Sequence, residues 1–427
     1  MSILNVNQIQ PVGSGQTVTI SATNISAGSA TVTAGTFTGN LTGNVTGNAT
    51  GLSGSPTLSG ITSVSTSNLT VNGNAYPNAG PLSNRNLVIN GAMQVAQRGT
   101  SSTTNGYGCL DRFRHNAWDV SVTFSQQTLS SGDPYNEGFR YFMRAANTST
   151  SSATSAYLQF DYYSEAQDIA GSGWNYTDSN SFLTFSFWVR SSLAGTYYVH
   201  YNDEDATNFV YNAPFTLSAN TWTKVSHSIP GNSSLIFNND TGRGLRFSIL
   251  PYYGTDYTDS SSQTNAWFTR TGTNYTPDFT ENWANTASAT FDITGVQLEV
   301  GSVATPFEHR SYGDELRRCQ RYYYKQPNSQ YRSAIIDGGS GNYVHAFVSH
   351  PVQMRSAPTA VLESFGNFYY NNGSGEASFL PSGGSITSNG NELVGKPGLA
   401  IISNGPGSAQ SQKIGQWSTR FSFSAEL

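Results

Sequence analysis

Charged residues are scarce. Lys and Arg total 21 and Asp and Glu 26, so 11% of the 427 residues carry charge, against about 25% in ordinary globular proteins. The balance is -5. A chain with so few bases is not built to neutralise phosphates, which excludes nucleic acid as a partner. No apolar run approaches the roughly 20 residues that cross a bilayer, so no membrane insertion is expected. Cysteine is almost absent: Cys109 and Cys319 are the two. Such a pair makes neither a disulfide framework nor a four-cysteine zinc site. We expect packed, reduced thiols, in keeping with synthesis in a reducing cytoplasm. The start, MSILNVNQIQPVGSGQTV, lacks a basic stretch followed by an apolar one, so no secretory leader is expected. The six His are scattered without metal-protease spacing, and no nucleophile elbow, phosphate loop or dinucleotide fingerprint appears.

Aromatic residues and glycine fill the space that charge leaves. Tyr, Phe and Trp number 24, 23 and 7, and Gly 43. This composition favours strands over helices. The distribution is uneven. Residues 1–84 contain no Asp, Glu, Lys, Arg or His, and Phe37 and Tyr76 are their aromatics. Such a segment cannot bury enough apolar surface to order itself alone. It contains the repeat FTGNLTGNVTGNATGL, with Phe37, Leu41, Val45 and Ala49 at every fourth position. In an extended chain these residues share a face with the glycines. Parallel copies around an axis would bury that apolar line; otherwise the segment is a flexible Gly/Thr/Asn linker.

From Arg85 onward, short runs alternate with turn clusters: Val120–Phe124, Tyr157–Phe160, Leu183–Val189, Thr196–His200, Thr223–Ile229, Leu245–Leu250 and Ala289–Leu298. The pattern predicts an antiparallel sandwich, a large jelly roll over 85–312. Next, SYGDELRRCQRYYYKQP places Leu316, Cys319, Gln320 and Tyr323 at helical spacing behind a Ser311–Asp314 capping pair. A short connecting helix over 313–326, ended by Pro327, is predicted. Strands resume in 327–427 as Tyr343–Val348, Thr359–Glu363, Leu399–Ser403 and Trp417–Ala425, a smaller C-terminal β domain. The fold class is therefore all-β, with 1–84 as an extended N-terminal shaft.

Two stretches carry a resemblance. NLVINGAMQVAQRGT with GYGCLDRFR, and FDITGVQLEVGSVATPFEHRSYGDELRRCQRYY, resemble marked segments of phage tail-fibre and receptor-binding proteins. The piece PVQMRSAP at 351–358, the ending FSFSAEL and the uncharged TGN repeat resemble the same cyanophage-like virion proteins. The resemblance implies a homotrimeric virion fibre, made in the host cytoplasm and joined to tail or capsid proteins through 1–84. It also implies a carbohydrate-binding-module-like jelly roll in the middle. LTFSFWVRSSLAGTYYVHY followed by FTLSANTWTKVSHSI looks like sugar-binding jelly rolls that end on a packed Trp, here Trp222. Such proteins often carry a structural calcium, for which Asn90, Gln94 and Asp292 are the matching positions. Gln94 stands where an acid is expected, which counts against the metal.

A pyranose offers an apolar face and a hydroxyl rim, so sugar recognition uses flat rings with polar edges. Tyr252, Tyr253, Tyr257, Trp267, Tyr275 and Trp283 lie among polar residues between 251 and 285, and Trp174 and Tyr176 form a second aromatic turn. These eight are the candidate glycan-binding residues; the alternative is that they fill the core or a subunit interface. Trp188 and Trp222 are expected in the core. Asp161, Glu165 and Asp168, and Asp203 to Asp205, are acidic clusters in polar sequence, where solvated acids are expected. No catalytic carboxylate pair is evident. Arg310, Arg317, Arg318, Arg321 and Lys325 gather near the helix, as a solvated face or inter-subunit ion pairs. The expected function is non-enzymatic: a tail fibre that binds a host cell-surface polysaccharide. A purely structural fibre is the alternative, and a polysaccharide depolymerase is disfavoured.

Overall fold

The computed structural model describes residues 69–71, 74–76, 84–272, 275–327, 330–337, 343–348, 350–371, 376–379, 398–402 and 414–427. The repeat carrying Phe37, Leu41, Val45 and Ala49 lies outside the described residues. Strands β1 (Leu69–Val71) and β2 (Asn74–Tyr76) form a small antiparallel hairpin.

Two six-stranded antiparallel sheets then pack face to face. The first contains β4 (Arg114–Trp118), β7 (Tyr157–Glu165), β9 (Gly195–Asp203), β10 (Phe209–Leu217), β12 (Arg243–Tyr253) and β13 (Trp267–Thr269), in the order β13-β10-β9-β12-β7-β4. The second contains β3 (Ser101–Ser102), β5 (Ser121–Thr128), β6 (Tyr141–Ser149), β8 (Phe182–Ser191), β11 (Thr223–Pro230) and β14 (Thr290–Val300), in the order β11-β8-β14-β6-β5-β3. Alternation supplies the core. Leu183, Phe185, Phe187 and Val189 of β8 face Leu158, Phe160 and Tyr162 of β7 and Leu245, Phe247 and Ile249 of β12 in one buried cluster. In β14 the inward set shifts from Phe291 and Ile293 to Val296 and Leu298, across a register irregularity between Thr294 and Gln297. Gly295 sits there at φ 63, with the Phe139 ring 2.7 Å from where a Cβ would stand. The bulge therefore needs glycine.

The chain enters the sandwich beside β14: Leu87 N donates to Leu298 O and Val296 N to Gly91 O. Asn90 is buried and holds its own loop, donating to Val95 O and Asp111 O and accepting from Val95 N. Short helices α1 (Asp133–Asn136) and α2 (Ala166–Ala170) sit in loops.

Helix α3 (Tyr312–Gln320) is shorter than expected. Ser311 caps it by accepting from Asp314 N at 3.2 Å. Asp314 and Glu315 in the first turn and Arg317 and Arg318 in the last suit its dipole. It stops well before Pro327 because the far end of the chain takes the backbone. Ala425 N donates to Tyr322 O, and Tyr323 pairs with Ser424. The segment Tyr323–Lys325 is thus strand β15, not helix. It joins a seven-stranded antiparallel sheet with β16 (Gln330–Asp337), β17 (Tyr343–Val348), β18 (Thr359–Asn371), β19 (Glu376–Phe379), β20 (Gly398–Ile402) and β21 (Ile414–Ser424). All the elements from β1 to β21 lie in one compact unit, residues 65–427.

The residues just past β21 dock on the sandwich. Arg112, with no exposed surface, ion-pairs with Glu426 at 2.5 Å, donates to Tyr163 O and stacks 3.5 Å from the Tyr322 ring centre. Arg98 reaches Glu426 at 3.2 Å and lies over Tyr323. Arg355 donates to Ala425 O, Glu426 O and Thr241 O. Glu165 receives Arg321 at 2.8 and 2.9 Å and the Tyr322 hydroxyl at 2.6 Å.

Several expectations about charge change here. Glu165, Asp161 and Asp203 are fully buried rather than solvated. The bases near α3 are held within the chain: Arg321 by Glu165, Arg310 by Glu308 and Glu315, and Lys325 by Glu363. Asp292 is not near a calcium ligand set. It is clamped by Arg144 and Arg190, whose positive charges repel a cation. Among the described residues no group of three or more His, Cys, Asp or Glu is placed to hold a metal. Trp188 is buried as expected, with Trp222 packed against it, in a hydrophobic cluster separate from the one between the sheets. They pack with Leu129, Phe139 and Phe142 on the outer face of the second sheet, because Trp188 alternates with the inward residues of β8. Cys109 and Cys319 are both buried and unpaired.

Candidate functional site

The outer face of the first sheet carries a concentrated set of rings and polar groups. Inward residues of β7 are Leu158, Phe160 and Tyr162, so Tyr157, Gln159, Asp161 and Tyr163 point outward. The same alternation sends Ser248 of β12, His200 of β9, Asn212 of β10 and Arg114 of β4 to that face. Register places them in one row. Arg114 pairs with Asp161, Asp161 with Ser248, Ser248 with His200 and His200 with Asn212.

Asp161 organises one end of the row. Its Oδ2 accepts from Gln159 Nε2 at 2.7 Å, Arg114 Nη1 at 3.0 Å and Asn116 Nδ2 at 3.3 Å, and its Oδ1 accepts from Ser248 Oγ at 2.6 Å. A buried carboxylate with this many donors is satisfied and fixed in place. Arg114 keeps about a third of its side chain in solvent, and Trp118, at the end of the same edge strand, is 56% exposed.

The other end is covered by the loop between β12 and β14. Asn212 Nδ2 donates to Gln263 O at 3.1 Å and Tyr275 O at 2.8 Å. With its amide so committed, Asn212 Oδ1 accepts from His200 Nδ1 at 2.7 Å. His200 Nε2 is then buried without a partner. Burial, aided by the charge on Arg246, pushes His200 down to about 3.

Above the row lies a tyrosine cluster. Tyr157 meets Tyr253 at 5.9 Å and Tyr257 at 5.4 Å between ring centres, and Tyr275 meets Tyr253 at 5.8 Å and Tyr257 at 6.1 Å. Tyr198, Leu250 and Phe279 close the cluster. Tyr253 donates its hydroxyl to Gln159 Oε1, linking rings to row. The guanidinium of Arg270 lies 3.9 Å from the Tyr275 ring centre. Burial raises the hydroxyls of Tyr157 and Tyr257 above their ordinary values, so both stay protonated donors at neutral pH. The arrangement can stack on a flat apolar face and hydrogen-bond its rim.

The eight aromatic candidates divide. Tyr253, Tyr257 and Tyr275 come together in this cluster. Trp283 is fully buried, since Asn147 Nδ2 ties down Trp283 O, Ala284 O and Thr286 O and draws the ring into the sandwich. Tyr252 lies past an irregularity in β12 and points into the same core. Trp174 is buried, its Nε1 donating to Ser181 O, and Tyr176 packs beside it on Phe237. Trp267 is half-buried, stacked on Phe209 with its Nε1 on Pro230 O at 2.7 Å. Burial takes Trp283, Trp174 and Tyr252 out of any stacking surface. The residues that sequence reading missed are Tyr157, Trp118, Gln159 and Arg114. The alternation in YLQFDYYSE marks Tyr157 and Gln159 as one face, but which strands flank them is a matter of topology.

Among the other acids, Asp203 accepts from Asp205 N, Ala206 N and Ile236 N, and burial still holds it up to about 6. Glu281 is pushed up to about 7 by burial; its Oε2 accepts from Thr280 Oγ1 and its Oε1 has no partner.

No family model matches the chain, and no curated protein matches it. Solved structures similar to it include the enzymatically active domain of bacteriophage CBA120 tailspike protein 4, at 10% identity and a TM-score of 0.28, over 50% of this chain and 21% of that one. Another is the family 11 carbohydrate-binding module of Clostridium thermocellum in complex with a beta-1,3-1,4-mixed-linked tetrasaccharide, at 8% identity and a TM-score of 0.23, over 48% and 98%. A third is the N-terminal endo-1,4-beta-D-xylanase 10B of the same organism complexed with xylohexaose, at 11% identity and 0.23, over 50% and 29%. The chain thus spans about a fifth of the tailspike domain. These likenesses are too weak to bear on what the chain binds.

Proposed function

We propose that the chain is a non-enzymatic phage fibre protein whose sandwich binds a host cell-surface glycan. The glycan lies on the outer face of the first sheet. The observation that carries this reading is the juxtaposition of Tyr157, Tyr257 and Tyr275 with the row Arg114–Asp161–Ser248–His200–Asn212. A sugar ring would stack on the tyrosines or on Trp118, and Arg114 and Gln159 would donate to its hydroxyls. Asp161 holds those donors in place. The sequence resemblance to phage tail-fibre proteins supports the virion role, the homotrimer and attachment through residues 1–84.

The test is adsorption of the full chain to host cells and to an array of host polysaccharides. Trp118→Ala and Tyr257→Ala should weaken binding with little change in melting temperature. Per-site affinity should be weak, and three linked copies would raise avidity through effective concentration. Mutants that melt early but adsorb normally per folded protein would make these aromatics core and move the receptor site to the C-terminal domain, whereas a full chain that neither adsorbs nor binds any polysaccharide would leave a purely structural fibre. Mass measurement of the intact protein should give three copies, and removal of residues 1–84 should leave a folded β-rich remainder that no longer joins particles.

A further inference from the structure

The opposite face of the sandwich carries a second, differently charged surface. Asp292, 1% exposed, sits at its centre. Arg144 grips it through Nε and Nη2 at 2.7 and 2.8 Å, and Arg190 through Nε and Nη2 at 3.0 and 2.7 Å. Both arginine side chains remain partly in solvent, at 30% and 28%. Neither Nη1 has a partner among the described residues. Rings hold the guanidiniums flat: Arg190 lies 4.8 Å from the Trp222 ring centre and Arg144 5.3 Å from that of Phe142. Arg140 is exposed, stacked 4.1 Å from the Tyr135 ring centre, and donates only to the carbonyls of Tyr135 and Phe139. Lys224 is balanced by Glu137 at 3.0 Å. Arg144 and Arg190 therefore share one buried carboxylate and Arg140 ion-pairs with none among the described residues, a local surplus of positive charge on a chain whose total is -5.

We propose that this face takes the oxyanion groups, carboxylate or sulfate, of an acidic polysaccharide. A guanidinium stacked on a ring keeps its fork in one plane, and that geometry matches a planar or tetrahedral oxyanion. The uncovered parts of Trp222 and Tyr135 give the sugar that carries the acid an apolar surface to rest on. On the first sheet's face Arg114 is matched by Asp161. The inference stands apart from the reading of that face.

The full chain is tested against polygalacturonate, dextran sulfate, neutral dextran and poly-L-glutamate, at low salt and at about 0.5 M salt, where screening suppresses exposed charge. Wild type should bind one or both acidic polysaccharides and lose them at high salt. Polygalacturonate alone would assign carboxylate, and dextran sulfate alone would assign sulfate. Arg190→Gln leaves Asp292 bidentate with Arg144 and should weaken polyanion binding by about tenfold. Arg140→Gln, which disturbs only a local turn, should weaken it several-fold without moving the melting temperature. Failure of wild type to bind either acidic polysaccharide, or unchanged binding in both arginine variants, overturns the proposal. Equal binding of poly-L-glutamate would instead mark a surface for acidic polypeptides and overturn it too.

Discussion

His200 offers a stability test with a calculable size. Its Nδ1 is committed to Asn212 and its Nε2 is buried without a partner, so the folded protein holds it neutral, with a value of about 3. In the unfolded chain it titrates near 6.5. The folded value is depressed, so the unfolded state binds the proton first. The stability contribution is whole above about pH 6.5 and is lost as pH falls from there toward 3. Between pH 7 and pH 5 the loss is about 2 kcal/mol, following 1.36 kcal/mol per pH unit over roughly 1.5 units. Gln at this position keeps a donor for Asn212 and removes the titration. Urea unfolding of wild type and His200→Gln at both pH values isolates the effect, because every other titrating group is common to the two proteins. Wild type should lose about 2 kcal/mol more than the variant. Equal losses in the two proteins would mean that His200 is already charged or solvated in the fold, and the anchoring of the loop through Asn212 would fall with it.

Other outcomes follow from the packing. Gly295→Ala forces a Cβ into a left-handed backbone and toward the Phe139 ring, and should cost about 2 to 3 kcal/mol in chemical denaturation. Glu426→Gln leaves the fully buried Arg112 with a neutral partner and should lower stability by about 3 kcal/mol, with proteolysis between the sandwich and the seven-stranded sheet as the readout. A thiol reagent should find neither cysteine in the native protein and both in denaturant, since both are buried and Cys109 is pushed up to about 11.

The sandwich was legible wherever one face of a strand was apolar. Leu183 to Val189 alternates cleanly, and β8 forms there; the runs at 157, 196, 223, 245 and 290 also lie in strands. The cap on α3 was legible from Ser311 and Asp314. Its end was not, because Tyr322 and Tyr323 are claimed by residues 424 and 425, about a hundred positions away. Composition also misjudged polarity. Trp283 sits in polar sequence yet is fully buried, because Asn147 satisfies the surrounding carbonyls. Asp161 and Glu165 read as solvated, yet Arg114, Gln159, Ser248, Arg321 and Tyr322 give them partners inside the fold. Burial of polar side chains depends on which partners the topology delivers, and local sequence does not carry that.

The pairing of Arg112 with Glu426 has a consequence for biosynthesis. The two residues stand 314 positions apart. At about 5 to 20 residues per second, roughly 16 to 60 s pass on the ribosome between their synthesis. Once β14 has emerged the sandwich can close around Phe113 and Tyr162, but for the rest of that interval the guanidinium beside them has no carboxylate. The nascent sandwich must therefore leave the strand end at Arg112 open to water. Emergence of Glu426, rather than closure of the sandwich, should be the step that locks the molecule. A ribosome-stalled chain ending before residue 414 should remain protease-sensitive near Arg112 and become resistant once residues 414–427 emerge.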